Sequence, residues 1–184
     1  APLANRFTHY EVEPNLDDWI GWALQHNIDE RILGFLRFRP DLLFNYDAAH
    51  NPAAFPSPRS WEYAHRALAK FADRPDLLGD ALQASVGKSC GVELKAFVDN
   101  MENLPDIDAI LAGAEIGVPK SIDLQYGVAS ALVRRAKESA GAPDKLANIL
   151  KYARNFPQRE MGVMLVTDLH RAVGKPLFAV PEFV

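Results

Sequence analysis

Asn15-Leu16-Asp17-Asp18-Trp19-Ile20-Gly21-Trp22-Ala23-Leu24-Gln25-His26 marks the point at which the chain turns helical. Trp19, Trp22, Ala23 and His26 stand at i, i+3, i+4 and i+7, which places them on one face of an α-helix. Asn15 falls at the N-cap, where its side-chain oxygen can accept from an amide with no partner inside the helix. Asp17 and Asp18 lie in the electropositive first turn. Just upstream the period is different. In Thr8-His9-Tyr10-Glu11-Val12-Glu13, Tyr10 and Val12 alternate with polar neighbours until Pro14 intervenes, a pattern that predicts one short strand. A lone strand leaves its backbone groups unpaired, and no second strand-like run follows. Its expected partner therefore lies upstream of residue 1.

Beyond Pro14 every periodic segment repeats near 3.6 residues. Asp29 caps a second helix whose buried stripe is Ile32, Phe35 and Leu36; Ile28 and Leu33 have the spacing of a hydrophobic staple, and Pro40 ends the run. Residues 41–55 carry Asn45, Asp47, Asn51 and Pro52 and read as a loop, with an extra turn at Leu42-Leu43-Phe44. Ser57-Pro58-Arg59 then opens a third helix, with serine at the N-cap, proline at the first helical position, and Trp61, Ala64, Leu68 and Phe71 facing inward. Residues 76–86 and 92–102 read as two helices separated by Gly87 to Gly91, and 106–111 as a short one. Between Gly113 and Pro119 the pattern lapses, which makes this stretch the best place for a boundary. Three more stripes follow: Leu124, Val128, Ala131 and Leu132; Leu146, Ile149, Leu150 and Ala153; Met161, Met164, Leu165 and Leu169. Gly141 and Pro157 separate them, a pattern suited to antiparallel packing across short loops. Gly174 and Pro176 stop the last helix, and the apolar tail, Leu177-Phe178-Ala179-Val180 with Phe183-Val184, needs a surface to lie on. The expectation is an all-α fold from residue 15 to 184, with no sheet of three or more strands.

Composition narrows the function classes. Of 184 residues, 48% are apolar and 24% charged, within the ordinary globular range, and no apolar run is long enough to span a bilayer. Residues 1–6 lack the apolar stretch of a signal peptide, so a cytoplasmic location is the default expectation. A net charge of −4 gives no general pull toward nucleic acid, and the basic run Arg134-Arg135-Ala136-Lys137 reads as a solvated helix face. The single cysteine, Cys90, can form no internal disulfide and reads as a small core residue. His9, His26, His50, His65 and His170 never share a helix face with another ligand at metal-binding spacing; His9 with Glu11 comes nearest, and no metal site is expected. Gly87-Lys88-Ser89 matches the last three positions of a phosphate-cradling loop. Leu82 stands where that loop needs its first glycine, however, and the preceding segment is helical, so Gly87 reads as a helix terminator. No Ser or Cys nucleophile has a recognisable partner set. The chain by itself offers no catalytic constellation.

Two arginines carry a resemblance. Pro2-Leu3-Ala4-Asn5-Arg6-Phe7 followed by a strand resembles the end of an AAA+ core domain, the region called box VII, where a short helix ending in Arg-Phe presents an arginine finger. Ser57-Pro58-Arg59, after two helices and a loop, is similar to the sensor 2 segment of MoxR-like AAA+ proteins. Between the two, Leu16-Asp17-Asp18-Trp19, then Phe35-Leu36-Arg37-Phe38-Arg39-Pro40-Asp41-Leu42-Leu43, then Phe55 to Glu62, resemble the lid of bacterial and phage MoxR-like ATPases. The likeness covers about residues 1 to 72; afterward only the order of helices and the Leu104-Pro105 break are similar.

The resemblance implies a division into residues 1–13, the tail of an absent AAA+ core, 14–113, a helical lid, and 114–184, a C-terminal helical extension. It implies that Arg6 is a catalytic finger reaching the ATP of a neighbouring subunit and that Arg59 touches the ATP of its own. The intact protein would then bind ATP and Mg²⁺, and this chain alone would hold neither, because the cradle loop, its Lys and the Mg²⁺-holding acid all belong upstream of residue 1. The implied partners are its own core, the neighbouring subunits of a ring, and a von Willebrand A-type protein of the kind with which the family often acts. The implied activity is ATP-driven remodelling of a partner. Arginine suits both positions, since a planar and always protonated guanidinium can grip two oxygens of a phosphoryl group at once. Without the family, Arg6 reads as a chain end, Arg59 as a helix-start arginine paired with Glu62, and the whole as a stand-alone helical interaction module. A sensor must reach a ligand outside its own domain, so Arg59 is expected at the surface.

Overall fold

The computed structural model describes residues 6–47 and 53–183. Among these the chain is all-helical, with nine α-helices and no strand. Thr8 to Glu13 runs as irregular, exposed chain, with Tyr10 83% and Val12 89% accessible, so the expected short strand does not form among the described residues. The reason is the one its pattern already contained: a strand is held by ladder bonds to a neighbour, and here it has none.

Helix α1 (Leu16–Gln25) starts as its cap dictates, with the Asp18 amide donating to Asn15 Oδ1 at 3.0 Å. Its buried face is Trp19, Ile20, Ala23 and Leu24, rotated from the expected stripe. Trp22 and His26 stack on the outside with centroids 4.3 Å apart, while the aliphatic pair Ile20 and Leu24, with no polar atom to satisfy, turns inward. Helix α2 (Glu30–Phe38) is capped by Asp29, which accepts from the Arg31 amide at 3.0 Å, and both residues of the Ile28–Leu33 staple are buried. A 3₁₀ turn at Pro40–Leu42 follows, slightly earlier than the turn expected at 42–44. Helices α3 (Pro58–Lys70) and α4 (Pro75–Val86) both begin at a proline.

Helix α5 (Lys88–Asn100) begins directly after Gly87, so the expected break from Gly87 to Gly91 shrinks to one residue. Gly91 is helical because it lies against α4, where a Cβ would come 2.5 Å from Gln83 Cα; glycine here permits a close helix crossing and marks no loop. Helix α6 (Ile107–Leu111) is a short piece capped by Asp106, and irregular chain leads to α7 (Ile122–Glu138), α8 (Pro143–Ala153) and α9 (Arg159–Val173). Gly174, at φ +66°, ends α9, and the tail folds back in two 3₁₀ turns that bury Leu177 and Val180.

One apolar core runs from Trp19 to Val180, so residues 14–113 and 114–184 share it. Helix α2 sits at its centre, with Ile32, Phe35 and Leu36 sealed from solvent and its length packed on α7. The approach is close at Gly34, where a Cβ would lie 2.8 Å from Ser130 Oγ and 3.3 Å from both the Tyr126 carbonyl oxygen and Phe97 Cζ. Helix α9 covers α7 and α1 and is tied to α2 by charge. Arg37 donates from Nε and Nη2 to both oxygens of Asp168 (3.1 and 2.6 Å) and from Nη1 to Asp17 (2.8 Å), and Arg171 bridges the same two carboxylates. The Arg37 and Asp168 side chains are only 13% and 11% exposed. Burial opposes the charge on Arg37, but the bonds it donates to Asp168 and Asp17 outweigh it and raise its pKa.

Two expectations follow for stability. The close approach makes Gly34→Ala destabilising by about 1–2 kcal/mol, overpacking exceeding the ~1 kcal/mol of helix propensity gained. Gly21→Ala on α1, with open space around its Cβ position, should instead stabilise by about 0.5–1 kcal/mol. Urea unfolding of the two variants checks the difference in sign. For the charge network, Asp168→Asn removes a partner from a buried guanidinium and should cost on the order of 3 kcal/mol at neutral pH. Asp17 is held below the usual carboxylate range by bonds from Arg37 and Arg171. Its contribution is therefore present above the unfolded-chain value near ~4 and is lost as pH falls through the folded value. Melting temperatures of Asp17→Asn and the native chain should differ at pH 7 and converge in acid.

Candidate functional site

The best-built surface feature is the start of α3, and neighbouring elements hold it in place from several sides. The Ser60 amide donates to Ser57 Oγ at 3.2 Å and the Ser57 amide to Ser60 Oγ at 2.7 Å, a reciprocal capping box that fixes the first turn. From α1, Trp19 Nε1 donates to the Pro58 carbonyl at 3.3 Å. Trp61, fully buried, directs its indole N–H at the carbonyls of Leu42 and Leu43 (3.0 and 3.3 Å) and so anchors the base of the preceding loop. The arms of that loop are joined where the Asn45 amide meets the Pro56 carbonyl at 3.1 Å. Phe55 packs against Phe44 and Tyr46, with centroids 6.3 and 4.7 Å apart.

On this frame Arg59 is exposed. The ion pair with Glu62 that its position suggests does not form; Glu62 pairs with Arg66 one turn on, and no ion pair joins Arg59 to another described residue. Arg59 lines a cleft of about 580 Å³ whose other walls include Phe55, Ser57, Tyr63 and, from α4, Ser85. Among the described residues no carboxylate lines it, and Arg59 is the one charged residue that does. Such a surface favours an anion, and its two aromatic rings favour one that carries an apolar or aromatic body. Tyr63 and Ser85 were not singled out from sequence. Tyr63 had a signal, standing at i+4 from Arg59 and hence on the same helix face, whereas Ser85 comes from another helix and had none.

The remaining sequence candidates fall elsewhere. Arg6 is exposed in the segment ahead of α1, and the rest of its motif, Pro2 to Asn5, lies outside the described residues. Nothing brings Arg6 and Arg59 into one site among the described residues. Gly87 is a helix terminator, with φ +90° and its amide on the Gln83 carbonyl at 2.9 Å; a Cβ added there would come 2.7 Å from the Ala54 carbonyl oxygen. Cys90 is a core residue whose thiol is pushed up to about 12, mainly by burial. No group of three or more His, Cys, Asp and Glu residues among those described could hold a metal, and His50 lies outside them. His65 Nδ1 instead accepts the Asp29 amide at 3.2 Å, tying α3 to the start of α2. The basic run on α7 is locally engaged: Arg134 and Arg135 reach Glu138, and Lys137 reaches the Leu24 carbonyl and Asn27. No described helix is long and apolar enough to cross a membrane.

Comparison of the chain with protein-family models, curated proteins and solved structures gives no match. The functional reading accordingly stands on the residues and geometry above. If the capping box sets the first turn of α3, Ser57→Ala should cost about 1 kcal/mol while Ser57→Asp, which keeps an accepting oxygen, should cost little. Chemical denaturation of both variants measures this.

Proposed function

We propose that this chain is the lid and helical extension of a MoxR-like AAA+ ATPase, with residues 14–113 as lid, 114–184 as extension and 1–13 as the tail of the ATP-binding core. The observation that carries the reading is Arg59: an exposed arginine in the first turn of the third helix, inside a cleft, with no carboxylate partner and no lining carboxylate among the described residues. That is the place where the resemblance puts the sensor arginine. In this role Arg59 contacts the phosphates of ATP bound to its own subunit, and Arg6 acts across the ring interface on the ATP of the neighbour. ATP and Mg²⁺ are held by the core. The lid converts nucleotide state into a change of angle that remodels a partner, with a von Willebrand A-type protein as the expected co-worker. Support from packing is mechanical: with one shared core and a charge-tied α2, the helices would move as a body when Arg59 is drawn to a phosphate.

Two arginines supply charge without a backbone cradle or a metal, so calorimetric titration of this chain at micromolar concentration with Mg-ATP should be flat. Tight binding by this chain alone would overturn the proposal. In the intact ATPase, Arg6→Ala should remove most turnover and leave nucleotide binding largely unchanged, because a trans-acting finger serves chiefly the transition state. Arg59→Ala should weaken binding and turnover together. Rings mixed from Arg6→Ala subunits and cradle-loop mutants should recover some activity; verified mixed rings with no recovery count against the trans role of Arg6.

A further inference from the structure

We propose that the outer face of α9 is a docking surface for an amphipathic helix of a partner protein, a helix whose apolar stripe carries carboxylates at one end; this does not depend on the reading of Arg59. Arg159, Val163 and Thr167 stand at i, i+4 and i+8 and form a ridge along α9. On one side of it runs a trough of about 590 Å³, walled by Leu150 and Phe156 and closed by Phe183 of the tail. On the other lies one of about 400 Å³ that ends against Asp17 and Arg37. Val163, at the centre of the ridge, is 66% exposed.

Shape selects a helix as the occupant. Side chains four apart make the rows that fit between the rows of a second helix, and two troughs flanking one such row are the complement of that second surface. Extended chain would dock at a cost, because the larger trough is walled mainly by carbon and the Thr167 hydroxyl already donates to the Val163 carbonyl at 2.8 Å. A helix meets its own amides and carbonyls internally and escapes that cost.

Charge selects its chemistry. Arg154 and Arg159 both line the larger trough, and neither has a carboxylate partner among the described residues. Arg154 donates to the backbone carbonyl of Glu182 at 2.7 Å, whereas the Glu182 carboxylate faces Lys151 at 3.5 Å. The two arginines flank the turn between α8 and α9, so unmet positive charge gathers at one end of the trough. In the smaller trough Asp17 is taken by Arg37 and Arg171, and Glu160 is the acid there without an ion pair among the described residues. A complementary helix therefore sets carboxylates beside Arg154 and Arg159 and apolar side chains against Val163 and Val166.

The test titrates the isotopically labelled chain by NMR with synthetic helical peptides up to millimolar concentration: one with a leucine stripe and glutamates at one end, one with lysines replacing those glutamates, and one with the stripe of the first scrambled. The acidic peptide should shift Arg159, Val163, Val166 and Thr167, the lysine peptide should bind about tenfold more weakly, and the scrambled one should leave these residues unmoved. Val163→Asp should weaken the acidic peptide about tenfold. Arg154→Glu combined with Arg159→Glu should reverse the preference, making the lysine peptide the tighter of the two. All three positions are exposed, and unchanged amide shifts away from α8, α9 and the tail establish that each variant is folded. Equal affinity for the acidic and lysine peptides, no reversal in the double variant, shifts on a different surface, or no shift with any peptide overturns the proposal. So does self-association of the peptide-free chain in sedimentation that Val163→Asp abolishes, since the occupant is then a second copy.

Discussion

The crossing of α2 over α7 is the constraint on which the rest of the structure depends. Gly34 lets the two backbones approach until a single added carbon would press on Ser130, Tyr126 and Phe97. At that distance Ile32, Phe35 and Leu36 can be sealed completely, and helices distant in sequence share one core. Dispersion and apolar burial both fall steeply with separation, so a looser crossing would weaken every contact that radiates from α2. The arginine at its far end extends the hold: Arg37 reaches Asp168 on α9 with two bonds and Asp17 on α1 with a third. A buried guanidinium is costly unless its donors are met, so this arrangement selects one relative placement of three helices more than it adds stability.

From that centre the start of α3 is fixed at second hand. Trp61 inserts beneath the loop and binds its carbonyls, Trp19 reaches Pro58 from α1, and His65 meets the N-cap of α2. Each bond joins a large side chain to backbone, which positions the chain path and not merely a side chain. Arg59 therefore projects from a rigid base, although its guanidinium is itself unconstrained by any ion pair among the described residues. A rigid base with a free charged tip is what a residue needs if it is to read a ligand and pass the displacement to a whole domain.

Among the described residues Arg59 shares its lack of a carboxylate partner with Arg159 at the start of α9, whereas most arginines are paired. Arg31, Arg39, Arg66, Arg74 and Arg134 each have a carboxylate within ion-pair distance, most of them two to four residues away. Local pairing of this kind solvates a helix surface and says little about function. In this chain Glu62 meets Arg66 across one turn, the orientation a helix favours, and thereby leaves Arg59 available.

Much of the fold was legible in the residue order, because caps and apolar periods act within a few positions. Asn15, Asp29, Ser57 and Asp106 each accept an amide at the start of a helix, and the 3.6-residue stripe of α8 is buried, as is that of α9 apart from the half-buried Met164. Arg59 could likewise be placed from its neighbours in sequence, Ser57 and Pro58. Other features were set by contacts between distant segments. Gly91 became helical because α4 lies against it, and α1 turned Ile20 and Leu24 inward because of the surface it meets. Strand pairing never arose for Thr8 to Glu13, since pairing needs a second chain segment and an alternating pattern alone supplies no bonds. Ser85 joined Arg59 and Tyr63 in one cleft only when α4 packed beside α3. Sequence by itself determined where the side-chain-capped helices begin and which arginine opens the third, since capping and periodicity are local; which faces are buried, which charges are paired and which residues share a cleft was decided by tertiary packing, since close approach and desolvation exist only between segments that the fold brings together.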